Sequence, residues 1–291
     1  MDQNLDKHSL HRLVFLGLVI AFLVGSMIEL EIGQSFIVKA LALTVLIMGI
    51  PHGAIDPFVA KQLGVWNTKL GLCFFSLGYL AVAIAMVFVW LYRPTLTLTF
   101  FLLFSVWHFS NDWEPSMGRL AGLSISASML TLPALFSFKE VLYLFNLLTG
   151  QEAFYLTFGM AVIAPVATLL AFLACFRAST ISTPVFLEIF ALLAGAAILP
   201  PLWFFLVYFC FLHSPRHLLR MLERYEGERV SNTALLFTVL TLILAIALTF
   251  LLPGEGLDEQ LLRTIFIGLF ALTVPHMILN EFYDTGEGIE I

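Results

Sequence analysis

The chain has 291 residues, of which 60% are hydrophobic and only 12% charged, and its mean hydropathy is +0.97. A soluble domain carries roughly 25% charged residues, so this composition excludes an ordinary soluble fold and points to lipid as the solvent. The net charge of -6 is modest and the basic residues are scattered, which argues against nucleic acid as a partner.

Met1 to Arg12 is short, polar and weakly basic, and His8 and His11 read there as solvated side chains. The apolar run that follows passes Glu29 and Glu31 straight into a second apolar segment. No small-residue cleavage site intervenes, so it reads as an uncleaved first helix. A hydrocarbon core about 30 Å thick needs roughly 20 apolar residues per helix. Candidate spans lie near 13–29, 34–53, 70–92, 95–112, 120–137, 153–176, 183–199, 201–220, 233–252 and 262–283, and 139–148 reads as a short interfacial helix. The expected fold class is therefore all-α, a polytopic transmembrane helical bundle. It has about ten spans (eight to ten) in a single integral-membrane domain over 1–291. Cys73, Cys175 and Cys210 fall within apolar runs without paired spacing and read as buried thiols.

Cytoplasmic loops collect Lys and Arg. With ten spans and a cytoplasmic N-terminus, Lys7, Arg12, Lys61, Lys69, Arg119, Arg177, Arg216, Arg220, Arg224 and Arg229 fall inside, against Arg93, Lys139 and Arg263 outside. The multi-pass protein is expected in the cell inner (plasma) membrane.

In this topology the remaining histidines fall on even-numbered spans, near their cytoplasmic ends. His52 closes the second span in Gly49-Ile50-Pro51-His52-Gly53-Ala54-Ile55-Asp56. His108 closes the fourth in Trp107-His108-Phe109. His213 and His217 close the eighth in His213-Ser214-Pro215-Arg216-His217, and His276 lies late in the tenth in Val274-Pro275-His276-Met277. A lone histidine in such a place reads as a core residue bonded to a carbonyl. Five at one depth point to a metal site, because ionisable groups inside a bilayer are expensive and face functional interiors. Imidazole suits iron, copper, zinc and nickel, so ligand type leaves the metal open. Positions 213 and 217 share one helical face if the helix continues past Pro215. Asp56, Asp112 and Glu281 follow histidines at short spacing and are candidates to accept a ring N–H from a metal-bound imidazole. Arg216 reads as a partner for one of these carboxylates or as a cytoplasmic-edge residue. Glu188 is a further intramembrane carboxylate, read either as a buried hydrogen bond or as part of the site.

The 49–56 run, Trp107-His108-Phe109, the 213–217 block and Pro275-His276-Met277 resemble, in order and spacing, the motifs of the Brp/Blh family of integral-membrane β-carotene 15,15′-dioxygenases. The resemblance covers about 45–283. It implies O₂-dependent cleavage of the central double bond of β-carotene to two molecules of all-trans-retinal at a non-haem Fe(2+). It also implies retinal passed on to a rhodopsin-type protein. By resemblance the iron ligands fall on His52, His108, His213 and His217, with His276 a fifth ligand or a supporting residue. The family's tyrosine near the iron falls on Tyr92 by position or on Tyr208 by helical placement. Other histidine-ligated readings are a diiron desaturase or hydroxylase, a haem electron carrier and a proton-coupled transporter. The diiron enzymes use about eight histidines in boxes that this chain lacks.

Overall fold

The computed structural model describes residues 7–28, 33–49, 53–113, 117–177, 183–224 and 231–286, with the side chains of 222, 224, 231–234 and 281–286 outside that description. His52 and the two residues before it lie outside the described residues. All regular structure among the described residues is helical: α1 (Lys7–Met27), α2 (Gln34–Thr44) running into a π-helical segment (Val45–Gly49), α3 (Asp56–Gln62), α4 (Lys69–Tyr92), α5 (Pro94–Ser110), α6 (Arg119–Phe136), α7 (Phe138–Thr149), α8 (Phe154–Arg177) and α9 (Thr183–Ile198). After these come α10 (Pro201–Phe205), a second π-helical segment (Leu206–His213), α11 (Ser214–Arg224), α12 (Ser231–Leu251) and α13 (Leu257–Gly286).

Local chemistry sets several of these ends. The Thr68 hydroxyl accepts from the Gly71 N–H at 3.1 Å at the start of α4, and Pro94 opens α5, where its missing N–H costs no helical bond. Within the apolar helices, hydroxyls are satisfied by the carbonyl one turn back, as in Thr44 to Ala40 and Ser105 to Phe101, both at 2.7 Å.

Among the described residues five helical stretches are long and apolar enough to cross a membrane: α1, α4, α6, α8 and Leu257–Asn280 of α13. Shorter apolar stretches lie at Gln34–Gly49, Pro94–Ser110, Thr183–Ile198 and Leu235–Leu251. Large apolar side chains such as Leu13, Phe74, Phe88, Phe176 and Phe250 cover the outside. So broad an apolar exterior, on helices that satisfy their own backbone, is that of a membrane protein. Cys73 corrects one expectation, because it is exposed on α4 while Cys175 and Cys210 are buried. In a helix apolar all round, hydropathy does not separate a buried face from a lipid-facing one.

The closest helix pair is α6 with α8, with α5 and α9 also against α6, and α13 against both α4 and α12. Ala164, Ala167 and Ala171 of α8 are buried, and the Ser128 and Thr168 hydroxyls bond at 2.7 Å, so small and polar residues bring these helices close. A Cβ added at Gly122 of α6 would stand 2.5 Å from the Ser110 carbonyl oxygen, so α6 seats the end of α5 against bare backbone.

The two π-helical segments pack against each other. A Cβ at Gly49 would lie 2.9 Å from the Phe209 ring, so glycine admits that ring. The helical backbone does continue past Pro215, but proline has no N–H to give the Phe211 carbonyl four residues back. His11 of α1 makes that bond instead, through Nε2 at 3.0 Å. This corrects the solvated reading of His11, which is half-buried, whereas His8 is half-exposed and meets the Glu223 carboxylate at 2.8 Å.

Candidate active site

Four helical elements deliver four imidazoles to one place. His108 ends α5, His213 ends the second π-helical segment, His217 follows one turn later on α11, and His276 lies in α13 just after Pro275. Ring centres of His108 stand 4.9 Å from His213, 5.2 Å from His276 and 6.5 Å from His217. His217 is 5.3 Å from His276 and 6.4 Å from His213, so the i, i+4 pair shares one face. His213 and His276 are buried.

Each of these two is tied to a buried carboxylate from another part of the chain. The His213 Nδ1 lies 2.9 Å from Asp112 Oδ2, and the His276 Nδ1 lies 2.7 Å from Asp56 Oδ1. An ionised carboxylate only accepts, so both rings carry their proton on Nδ1 and turn Nε2 to the other side. Asp112 sits in the turn after α5, where it also receives Arg220 Nη2 at 2.9 Å. Asp56 opens α3 and receives the Tyr79 hydroxyl at 2.7 Å, and Tyr79 comes from α4. Asn280 donates its amide to His276 Nε2 at 3.0 Å, so the lone pair a metal would take from His276 is already met there.

An imidazole nitrogen lies about 2.1 Å from its metal and roughly 1.1 Å from its ring centre, so rings sharing one ion have centres about 4.5–6.5 Å apart. The observed centres fit that range. Donor atoms, by contrast, do not converge: among the described residues no group of three or more His, Cys, Asp or Glu side chains is set to hold an ion. Ring-centre spacing is the more telling measure, because small side-chain torsions swing a nitrogen while leaving the centre nearly in place. The donor set of neutral imidazoles backed by carboxylates suits a divalent transition metal.

Beside the histidines lies a partly open, largely apolar cavity. His108, His213 and His276 supply polar wall, and Phe101, Phe205, Phe209 and Phe266 supply much of the remainder. Such a site, apolar with a few convergent polar groups, suits a hydrocarbon.

Of the other expected residues, Tyr208 is buried, edge-on to Phe109 at 5.0 Å, with its hydroxyl 3.4 Å from Asp112. Tyr92 is 77% exposed under the Arg93 guanidinium, next to the start of α5 and therefore roughly 20 Å of helix from His108. The side chain of Glu281 lies outside the description, as does His52.

Residues 43–284 match the family model described as beta-carotene 15,15′-dioxygenase. A protein of that name from uncultured marine bacterium 66A03 is 31% identical over 263 residues, which cover 84% of this chain and 92% of that protein. The chain belongs to the β-carotene 15,15′-dioxygenase family. No solved structure matches it. The family region runs from just before the first π-helical segment to the end of α13, and so holds every histidine of the cluster while leaving α1 outside.

Three participants at the dioxygenase-family site escape a reading of the sequence. Tyr79 sits in an apolar run with nothing beside it to mark its contact to Asp56. Arg220 looks like any cytoplasmic-edge arginine, and Asn280 like a helix-end amide. Only the single helical turn between His276 and Asn280 was there to find.

Proposed function

We propose that this chain cleaves the central 15,15′ double bond of β-carotene with O₂, giving two molecules of all-trans-retinal, at a non-haem Fe(2+). His52, His108, His213 and His217 would hold the iron, with His276 supporting them. The observation that carries this reading is the pair of carboxylate-backed imidazoles, His213–Asp112 and His276–Asp56, at an apolar cavity within a membrane protein of this family. When bound, the iron supplies the one-electron chemistry that lets O₂ react with a polyene. Each carbon of the cleaved double bond takes one oxygen atom, so the reaction balances without an external reductant.

The chain's own residues bind and orient. Aromatic walls from Phe101, Phe205, Phe209 and Phe266 hold a substrate without polar atoms, and keep water from the reacting bond. Asp112 and Asp56 hold protons on Nδ1 of His213 and His276, which fixes their tautomers. Asn280 engages Nε2 of His276, which favours a supporting role for that ring. The bilayer delivers the carotenoid. In this proposal the four shorter apolar stretches and the 201–220 stretch are further crossings, for about ten in all. The N-terminus is cytoplasmic in the plasma membrane, and retinal passes on to a rhodopsin-type protein.

The test is expression in cells that make β-carotene, with pigments separated by chromatography. Retinal should accumulate as orange colour is lost, and iron should copurify in proportion to the chain. Cells that stay orange with no extractable retinal would rule the reading out.

A further inference from the structure

We infer that Glu188 and Arg216 form a positioning pair that aims the Asp112–His213 couple, a role resting on the active-site reading above. Glu188 lies within α9, an apolar helix, and is fully buried. Its Oε2 receives Arg216 Nη2 at 2.9 Å, and its Oε1 faces Arg12 Nε of α1 at 3.7 Å. The Arg216 guanidinium also donates to the main-chain carbonyl of Asp112 at 3.3 Å and lies over the buried Trp113 ring at 5.4 Å. Arg216 thus grips the turn that carries Asp112, and Glu188 grips Arg216.

Stability does not account for this pair. Taking two charges out of water costs as much as their attraction returns, and a well-packed apolar pair of similar volume is often at least as stable. What an apolar pair lacks is direction. A guanidinium clamped on one side by a carboxylate presents its remaining N–H groups at fixed angles, whereas a free arginine samples many rotamers. With the Asp112 carbonyl held, its carboxylate is left to face His213 at 2.9 Å and Arg220 at 2.9 Å. Four elements meet in this network: α1, α9, the turn after α5, and α11.

The experiment compares wild type, E188Q and the paired replacement E188L/R216M in the full-length membrane protein. The single variant keeps the side-chain shape and removes the charge, while the double variant removes both charges and leaves only the half-exposed Arg12 without its carboxylate. Thermal melts, KM and kcat for β-carotene, and the apparent affinity for Co²⁺ followed by its visible bands are read for each. The expectation for E188L/R216M is a near wild-type melt and KM, with kcat and Co²⁺ affinity both about tenfold lower, the low end of what groups behind metal ligands contribute. A double variant with wild-type stability and wild-type kcat overturns the positioning role. If the double variant does not fold, E188Q decides on the same split: lower kcat at constant KM supports the role, and unchanged kcat refutes it. Wild-type protein that binds no Co²⁺ would count against the metal reading instead, with the kcat comparison still deciding for Glu188.

Discussion

A buried carboxylate that accepts the Nδ1–H of an imidazole fixes which ring nitrogen keeps its lone pair, and raises that nitrogen's basicity. Asp112 does this for His213 and Asp56 for His276, from 101 and 220 residues away in the chain. Replacing Asp112 with Asn keeps the shape, but lets the amide present N–H where the carboxylate accepted. The expected outcome for D112N is a loss of roughly 10–100-fold in metal affinity or kcat, with expression retained. Metal content by atomic absorption, alongside retinal formation, checks it. H276A and H213A separate the two rings by the same assay: loss of bound iron is expected for H213A, and retention of most of it for H276A, whose Nε2 is already met by Asn280. Equal iron loss in both would make His276 a full ligand. Spacing along the chain picked out both carboxylates, since each follows a histidine by four residues, but not which ring each one serves. That depends on tertiary packing of α3 against α13, and of the α5 turn against the second π-helical segment.

At the scale of elements, the helices were readable because apolar runs between charged or Gly/Pro breaks are long, and the short helix α7 appears where the 139–148 segment was expected. The two π-helical segments were not readable, since a π turn leaves the composition of an apolar run unchanged and shifts only its hydrogen-bond register. Proline at 215 was the one local clue, and its consequence falls on another helix. The Phe211 carbonyl, which Pro215 has no N–H to serve, accepts from His11. H11A therefore removes a partner of a part-buried carbonyl, at an expected cost of about 1 kcal/mol. That is a lowering of the melting temperature by a few degrees in detergent. H11Q, whose amide can reach the same carbonyl, should recover part of the loss. No change in H11A would mean that water serves Phe211 equally well.

At the scale of the molecule, the ion pairs have a side. His8 meets Glu223, His11 meets Phe211, and Arg12 faces Glu188, so the start of α1 lies level with α11 and the histidine cluster. The start of α5 marks the other end: Thr95 meets Gln151, and Arg263 pairs with Glu259 and approaches Gly150. A membrane that follows the apolar belt puts these two layers on opposite faces. The excess of Lys and Arg belongs to the histidine layer, with Lys61 and Lys69 near α3 and Arg216 and Arg220 on α11, so that face should be cytoplasmic. Single cysteines at Val65 and Gln151, in a background with Cys73, Cys175 and Cys210 replaced, test this with a membrane-impermeant maleimide. In intact cells the probe is expected to label position 151 and to spare position 65, and both should label once the cells are opened. Labelling of 65 in intact cells would put the histidine cluster at the outer face. With the start of α1 level with that cluster, it would then overturn the cytoplasmic N-terminus.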